Sequence, residues 1–225
     1  MPWERRRPPA QPFSDHGAFL QEGRTFGPIY LNAGGTPAVP GGVGGFLRYH
    51  PTMNFAGVLQ AVTDFLDQQG ARYAVIGGVA LVMYGLPRTT LDLDLVVDFA
   101  VQDTLIQWLE TRGYQTRHRS SGYSNHSHSD PDWGDLDLVY VRAETAEKLF
   151  AGCRMAKGPG GRVVPVPSPE HLAALKVVSW KNDPDRAFRD QEDLRFLLHL
   201  PGVDQSEMRR YFVRHGLGER FDEIL

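Results

Sequence analysis

Two aspartates, Asp92 and Asp94, stand one leucine apart in the run Leu91-Asp92-Leu93-Asp94-Leu95. Along a strand, successive side chains point to opposite faces, so both carboxylates emerge on one side and the leucines on the other. Carboxylates roughly 6–7 Å apart on one face repel each other unless a cation lies between them. Oxygen ligands of this kind suit Mg²⁺, which takes one or two carboxylates and completes its shell with water and phosphate oxygens. A second alternation, Asp135-Leu136-Asp137 in DLDLVYV, places two more carboxylates on one face. If the two strands pair, one of these completes a three-carboxylate cluster. Asp137, with apolar neighbours on both sides, is favoured as the deeper, although the pattern leaves Asp135 open. Three acids from two strands can hold two metal ions, a pair able to stabilise both the attacking and the leaving oxygen of a phosphoryl-type displacement.

The elements that must position these acids can be read around them. The apolar run Tyr73–Ile76 breaks at Gly77-Gly78, and a compact helix follows to Tyr84, closed by Gly85 and Pro87. Backbone N–H groups at such a turn, with the positive end of a helix dipole, offer a seat for phosphate. Taken alone, a glycine pair between strand and helix is more often only a tight turn; the acid pair on the next strand, 90–97, gives it weight. Upstream, Phe55, Val58, Leu59, Val62, Phe65 and Leu66 form the stripe of an amphipathic helix over 54–69, stopped by Gly70. Downstream the pattern predicts a helix over 98–113, a strand over 114–119 and a polar loop over 120–134. A strand over 135–141, a helix over 143–152 and a last strand over 162–166 follow. Ser168-Pro169 then supplies an N-cap and a proline at the first helical position, opening a helix to about Trp180, with two or three more helices in 185–225. Strands first and helices last predict an α+β fold: a mixed β-sheet core over 54–167, flanked by helices, and a helical C-terminal lobe over 168–225. Residues 1–50, crowded with proline and glycine, are expected to form a disordered or extended segment.

Composition sets few limits. The chain has 225 residues, 41% hydrophobic and 23% charged, with a net charge of −3, which suits a globular domain and neither demands nor excludes a nucleic-acid partner. The single cysteine, Cys153, allows no internal disulfide and fits a reducing compartment. No apolar run is long enough to span a bilayer, and no apolar run follows Arg5-Arg6-Arg7, so a cytoplasmic protein without a membrane partner is expected. His118, His126, His128, Asp130 and Asp132 match no closed tetrahedral zinc spacing and read as a solvated loop. Arg112, Arg117, His118 and Arg119, with Arg209, Arg210 and Arg214, could present a basic surface to RNA, though ordinary surface charge is the simpler reading.

Gly-Gly, a short helix and then apolar-Asp-apolar-Asp-apolar resembles the signature of the nucleotidyltransferase superfold related to DNA polymerase β. Within it, GGVALVMYGLPRTTLDLDLVV is similar to the AbiEii-type nucleotidyltransferases, many of them toxins of bacterial toxin–antitoxin pairs. VPSPEHLAALKVVSWKNDPDRAFRDQEDLRFLL resembles that group's lysine-bearing helix and the acidic helix after it. The likeness covers roughly 73–198. It implies that Asp92, Asp94 and Asp137 ligate Mg²⁺, two ions in all, with Asp137 also helping to activate the attacking hydroxyl. It implies that Gly77 and Gly78 bind the triphosphate and that Lys176 and Asp190 complete the nucleotide site. Arg88, just before the acid pair, could reach a phosphate or cap the sheet edge. Lys176 read alone could be a solvated lysine at a helix edge, and Asp190 could simply pair with Arg186 one turn earlier. The glycine pair lacks the serine that many relatives carry second.

The expected activity is Mg²⁺-dependent transfer of NMP from an NTP to a hydroxyl of RNA (tRNA) or protein, with a cognate antitoxin as a further partner. The alternative is a catalytically silent nucleotide-binding or regulatory module of the same fold. A calcium loop is excluded because Val96 and Val97 stand where a third oxygen ligand and a glycine are needed. A phosphatase with an aspartate nucleophile would carry its pair after the first strand, not within the second.

Overall fold

The computed structural model describes residues 53–182 and 187–225. The expectation for 1–50 and the partner Arg186 lie outside the described residues.

Helix α1, Phe55–Gln68, begins where the Asn54 side chain accepts from the Gly57 N–H and buries the predicted stripe, from Val58 to Leu66. Gly70, at φ +61°, turns the chain into strand β1, Tyr73–Val75. Helix α2, Gly77–Met83, leads through a loop to β2, Asp92–Asp98. A 3₁₀ turn, Phe99–Val101, precedes α3, Gln102–Thr111, whose Trp108 stacks on Phe65 of α1 with ring centroids 4.6 Å apart. Strands β3, Tyr114–Arg119, β4, Tyr123–His128, and β5, Asp135–Val141, follow. Helix α4, Ala143–Ala151, then leads to the two-stranded pair β6, Arg154–Lys157, and β7, Val163–Val166.

The main sheet has five strands in the order β1-β2-β5-β4-β3. Only β2 and β5 run parallel; the other neighbours are antiparallel. The sheet is therefore mixed, and the parallel pair lies inside it with a neighbour on either side. Leu93, Leu95, Leu136 and Leu138 are fully buried, so the hydrophobic effect fixes which face of that pair carries the alternating aspartates.

The predicted loop 120–134 is corrected by β4. Its sequence YSNHSH has none of the apolar alternation that marks a strand, yet Ser124, Asn125 and His126 are buried. Burial is tolerated because their polar atoms are paired. Ser124 Oγ lies 2.8 Å from both His126 Nε2 and the Tyr140 hydroxyl, and His126 Nδ1 lies 3.3 Å from Thr116 Oγ1. Strand β6 is also an addition: Arg154, Met155 and Lys157 are exposed, and it is held by pairing with β7, whose Val164 and Val166 reach the core.

The C-terminal lobe consists of α5, Pro169–Asn182, α6, Ala187–Leu198, α7, Gln205–Arg214, and α8, Gly218–Ile224. Leu172, Ala173, Val177 and Trp180 of α5 are buried, as are Leu194, Leu197 and Phe212. The Phe212 ring meets Trp180 and Phe221 edge-on, at 6.3 and 5.2 Å. These residues join the core of the sheet domain in one cluster. Among the described residues no helix is long and apolar enough to cross a membrane.

Candidate active site

The parallel register sets Asp92 opposite Asp135 and Asp94 opposite Asp137. All four side chains therefore share a face. Asp92, Asp94 and Asp137 each offer a carboxylate oxygen, and these oxygens lie within 4.8 Å of one another. Asp135, one step further toward the strand end, is exposed and outside this group. Two unit charges at this spacing repel by about 3 kcal/mol at an effective dielectric near 20. Three half-buried carboxylates so close form an all-oxygen donor set, and a hard divalent cation such as Mg²⁺ fits that chemistry.

Each acid is backed by its surroundings. Thr90 Oγ1 donates to Asp92 Oδ1 at 2.8 Å. Asn125 Nδ2 donates to Asp137 Oδ1. Asp94 lies against Gly77, where a Cβ would fall on the carboxylate and 2.8 Å from the Asp94 Cβ. Gly77 also has φ +61°, a left-handed conformation that side chains disfavour. The Ile76 N–H donates to the Asp94 carbonyl at 3.0 Å, fastening the glycine turn to β2. At Gly78 a Cβ would lie 2.5 Å from Thr90 Oγ1. Glycine is thus required at both positions by close approach to the acid-bearing strand and the loop before it.

Lys176, Asp190 and Arg88 meet in a second group. Lys176 Nζ lies 3.0 Å from Asp190 Oδ1 and 2.8 Å from Asp193 Oδ2, and Arg88 pairs with Asp193. The solvated-lysine reading fails: the Lys176 side chain is only 15% exposed, with carboxylates 1% and 6% exposed as partners. Burial by itself pushes the ammonium pKa down, but the charges of Asp190 and Asp193 outweigh it and leave the pKa raised, so Lys176 is a cation. Asp190 Oδ2 is buried without a hydrogen-bond partner among the described residues. Arg88 and Thr90 belong to one loop, which ties this ion group to Asp92.

The sequence reading missed four of these residues. Asp193 follows Asp190 by three positions, which on a helix is the same side, and that spacing could have revealed it. Thr90 stands two residues before Asp92, on the same side of an extended chain. Asn125 and Tyr123 carried no signal because their strand was not recognised. Tyr123 is held in its protonated form first by burial and then by neighbouring Asp137.

The loop histidines do not gather. Among the described residues the acidic triad is the group of three that could hold a metal, and no histidine belongs to it. His126 is buried, which pushes its pKa down to about 4. Several arginines of the suggested basic surface are engaged within the chain: Arg119 with Asp103, Arg209 with Asp222, and Arg112 over the Trp108 ring at 4.9 Å.

Neither a family model nor a curated protein matches this chain. Solved structures do. The solution structure of the antibiotic-resistance factor ANT(2″)-Ia superposes with a TM-score of 0.55 at 16% identity, covering 75% of this chain and 94% of that one. The crystal structure of ANT(2″)-Ia in complex with adenylyl-2″-tobramycin gives the same TM-score and identity over 74% of this chain and 98% of that one. At such identity the likeness is one of fold alone: this chain shares the fold of ANT(2″)-Ia.

Proposed function

We propose that this protein is a Mg²⁺-dependent nucleotidyltransferase that moves NMP from an NTP to a hydroxyl acceptor and releases pyrophosphate. The carrying observation is that Asp92, Asp94 and Asp137 converge within 4.8 Å beside a glycine turn packed on Asp94. In this reading Asp92, Asp94 and Asp137 hold two Mg²⁺ ions, which when bound neutralise charge on the triphosphate and on the attacking oxygen. Gly77 and Gly78 offer backbone N–H groups to the triphosphate. Arg88, Lys176 and Asp190, joined through Asp193 in a charge-balanced group, complete the nucleotide side of the site; this part rests on the resemblance of residues 73–198. Asp137 orients the acceptor hydroxyl and takes up its proton. The acceptor oxygen bonds to the α-phosphorus as the bond to pyrophosphate breaks.

The acceptor is an RNA (tRNA) or protein hydroxyl, and the protein is the toxin of a toxin–antitoxin pair; this part rests on the resemblance of residues 73–198 to AbiEii-type proteins. A second reading, a small-molecule hydroxyl, is favoured by the shared fold of ANT(2″)-Ia, solved in complex with adenylyl-2″-tobramycin.

The test is incubation with labelled NTPs, Mg²⁺ and, in separate arms, total RNA, cell protein and aminoglycosides. Label transfer by the wild type, abolished in Asp92→Asn, is expected. Nucleotide binding without transfer in any arm would favour the silent module. Growth arrest on expression, relieved by the product of the adjacent gene, checks the toxin assignment.

A further inference from the structure

Asp137 projects from β5 opposite Asn125 of β4. Asn125 is 6% exposed and donates from Nδ2 to Asp137 Oδ1, so water competes little for that bond. Tyr123, two residues earlier on the same strand, points to the same face. Its phenol, an O–H donor, interacts with the Asp137 carboxylate. His118 braces it, ring against ring at 6.0 Å and 30°. A bulge between Thr116 and His118 makes this possible: Thr116 pairs with His126 on the far face, whereas His118 pairs with Asn125 on the near one.

We propose that Asn125 and Tyr123 are positioning residues for Asp137. They hold one side of its carboxylate so that the other side remains turned toward Asp92 and Asp94. Three like charges within 4.8 Å tend to splay apart, and each member meets that tendency differently. Asp92 has the Thr90 hydroxyl and Asp94 the wall of Gly77. Asp137 has two neutral donors from β4, which anchor it without adding charge. This inference deepens the metal-site reading above and rests on it.

Mn²⁺ titrated into the nucleotide-free protein, with free Mn²⁺ followed by electron paramagnetic resonance, separates the two. Wild type is expected to bind and Asp92→Asn to lose binding. Asn125→Leu and Tyr123→Phe are each expected to weaken Mn²⁺ affinity about tenfold, the scale on which partners of metal ligands act. Asn125→Thr, which keeps a donor, is expected to stay within about threefold of wild type. Cooperative melting establishes that each variant is folded. Folded Asn125→Leu and Tyr123→Phe binding Mn²⁺ like wild type would overturn the inference alone, as would Asn125→Thr falling as far as Asn125→Leu. A wild type that does not bind Mn²⁺ would remove the metal site and this inference together. If Asn125→Leu does not fold, Tyr123→Phe decides, because it removes one oxygen and leaves the ring in place.

Discussion

Gly77→Ala and Gly70→Ala form a matched pair. Both glycines have φ +61°, but an added Cβ meets nothing within 4 Å at Gly70, whereas at Gly77 it falls on the Asp94 carboxylate. Gly70→Ala therefore carries only the backbone cost of a left-handed alanine, about 1 kcal/mol. Gly77→Ala carries that cost plus the displacement of a packed side chain, worth roughly 1–3 kcal/mol. Its total is about 2–4 kcal/mol, less whatever is regained as Asp94 moves from the other acids. Urea denaturation of the metal-free proteins measures both. The larger consequence is for cation binding: Gly77→Ala should weaken Mn²⁺ affinity at least tenfold as Asp94 leaves the triad, while Gly70→Ala should leave it unchanged. Equal stability costs and full Mn²⁺ affinity in Gly77→Ala would refute the claim that this glycine is required by Asp94.

Asp92→Asn should raise the metal-free unfolding free energy, by up to about 3 kcal/mol, because it removes one charge from a repelling cluster; a fall would mean that these acids do not strain the apo protein. Lys176→Met leaves Asp190 and Asp193 buried with less compensating charge, and should cost about 3–5 kcal/mol in denaturant unfolding. A loss under 1 kcal/mol would return Lys176 to the surface. His126 titrates at about 4 in the fold against about 6.5 unfolded, so the unfolded chain binds the extra proton first. Stability is complete above pH 6.5 and should fall by about 3 kcal/mol as the pH drops to 4. Urea midpoints across that window should show the slope, and His126→Gln should flatten it.

Much of the chemistry was written in local pattern. Asp92-Leu93-Asp94 and Asp135-Leu136-Asp137 alternate with buried leucines, and period-two alternation needs no knowledge of the partner strand to fix a common face. The helix stripe from Val58 to Leu66 was legible from its three-and-four spacing, and the cap at Ser168, whose Oγ accepts from the His171 N–H at 3.3 Å, from the Ser-Pro pair itself. Strand β4 was not, because Ser124, Asn125 and His126 are stabilised in the interior by hydrogen bonds to Tyr140, Asp137 and Thr116, partners 10 to 16 positions away in the chain.

The sequence by itself determined that two pairs of carboxylates would each share a strand face and that a glycine turn would precede the first. Tertiary structure alone decided that Asp94 faces Asp137 while Asp135 stays outside. It also decided that Gly77 walls in Asp94, and that Arg88 and Lys176 share Asp193. Side-chain alternation is a property of one strand, but register, close approach and ion pairing arise only when separate segments are packed together.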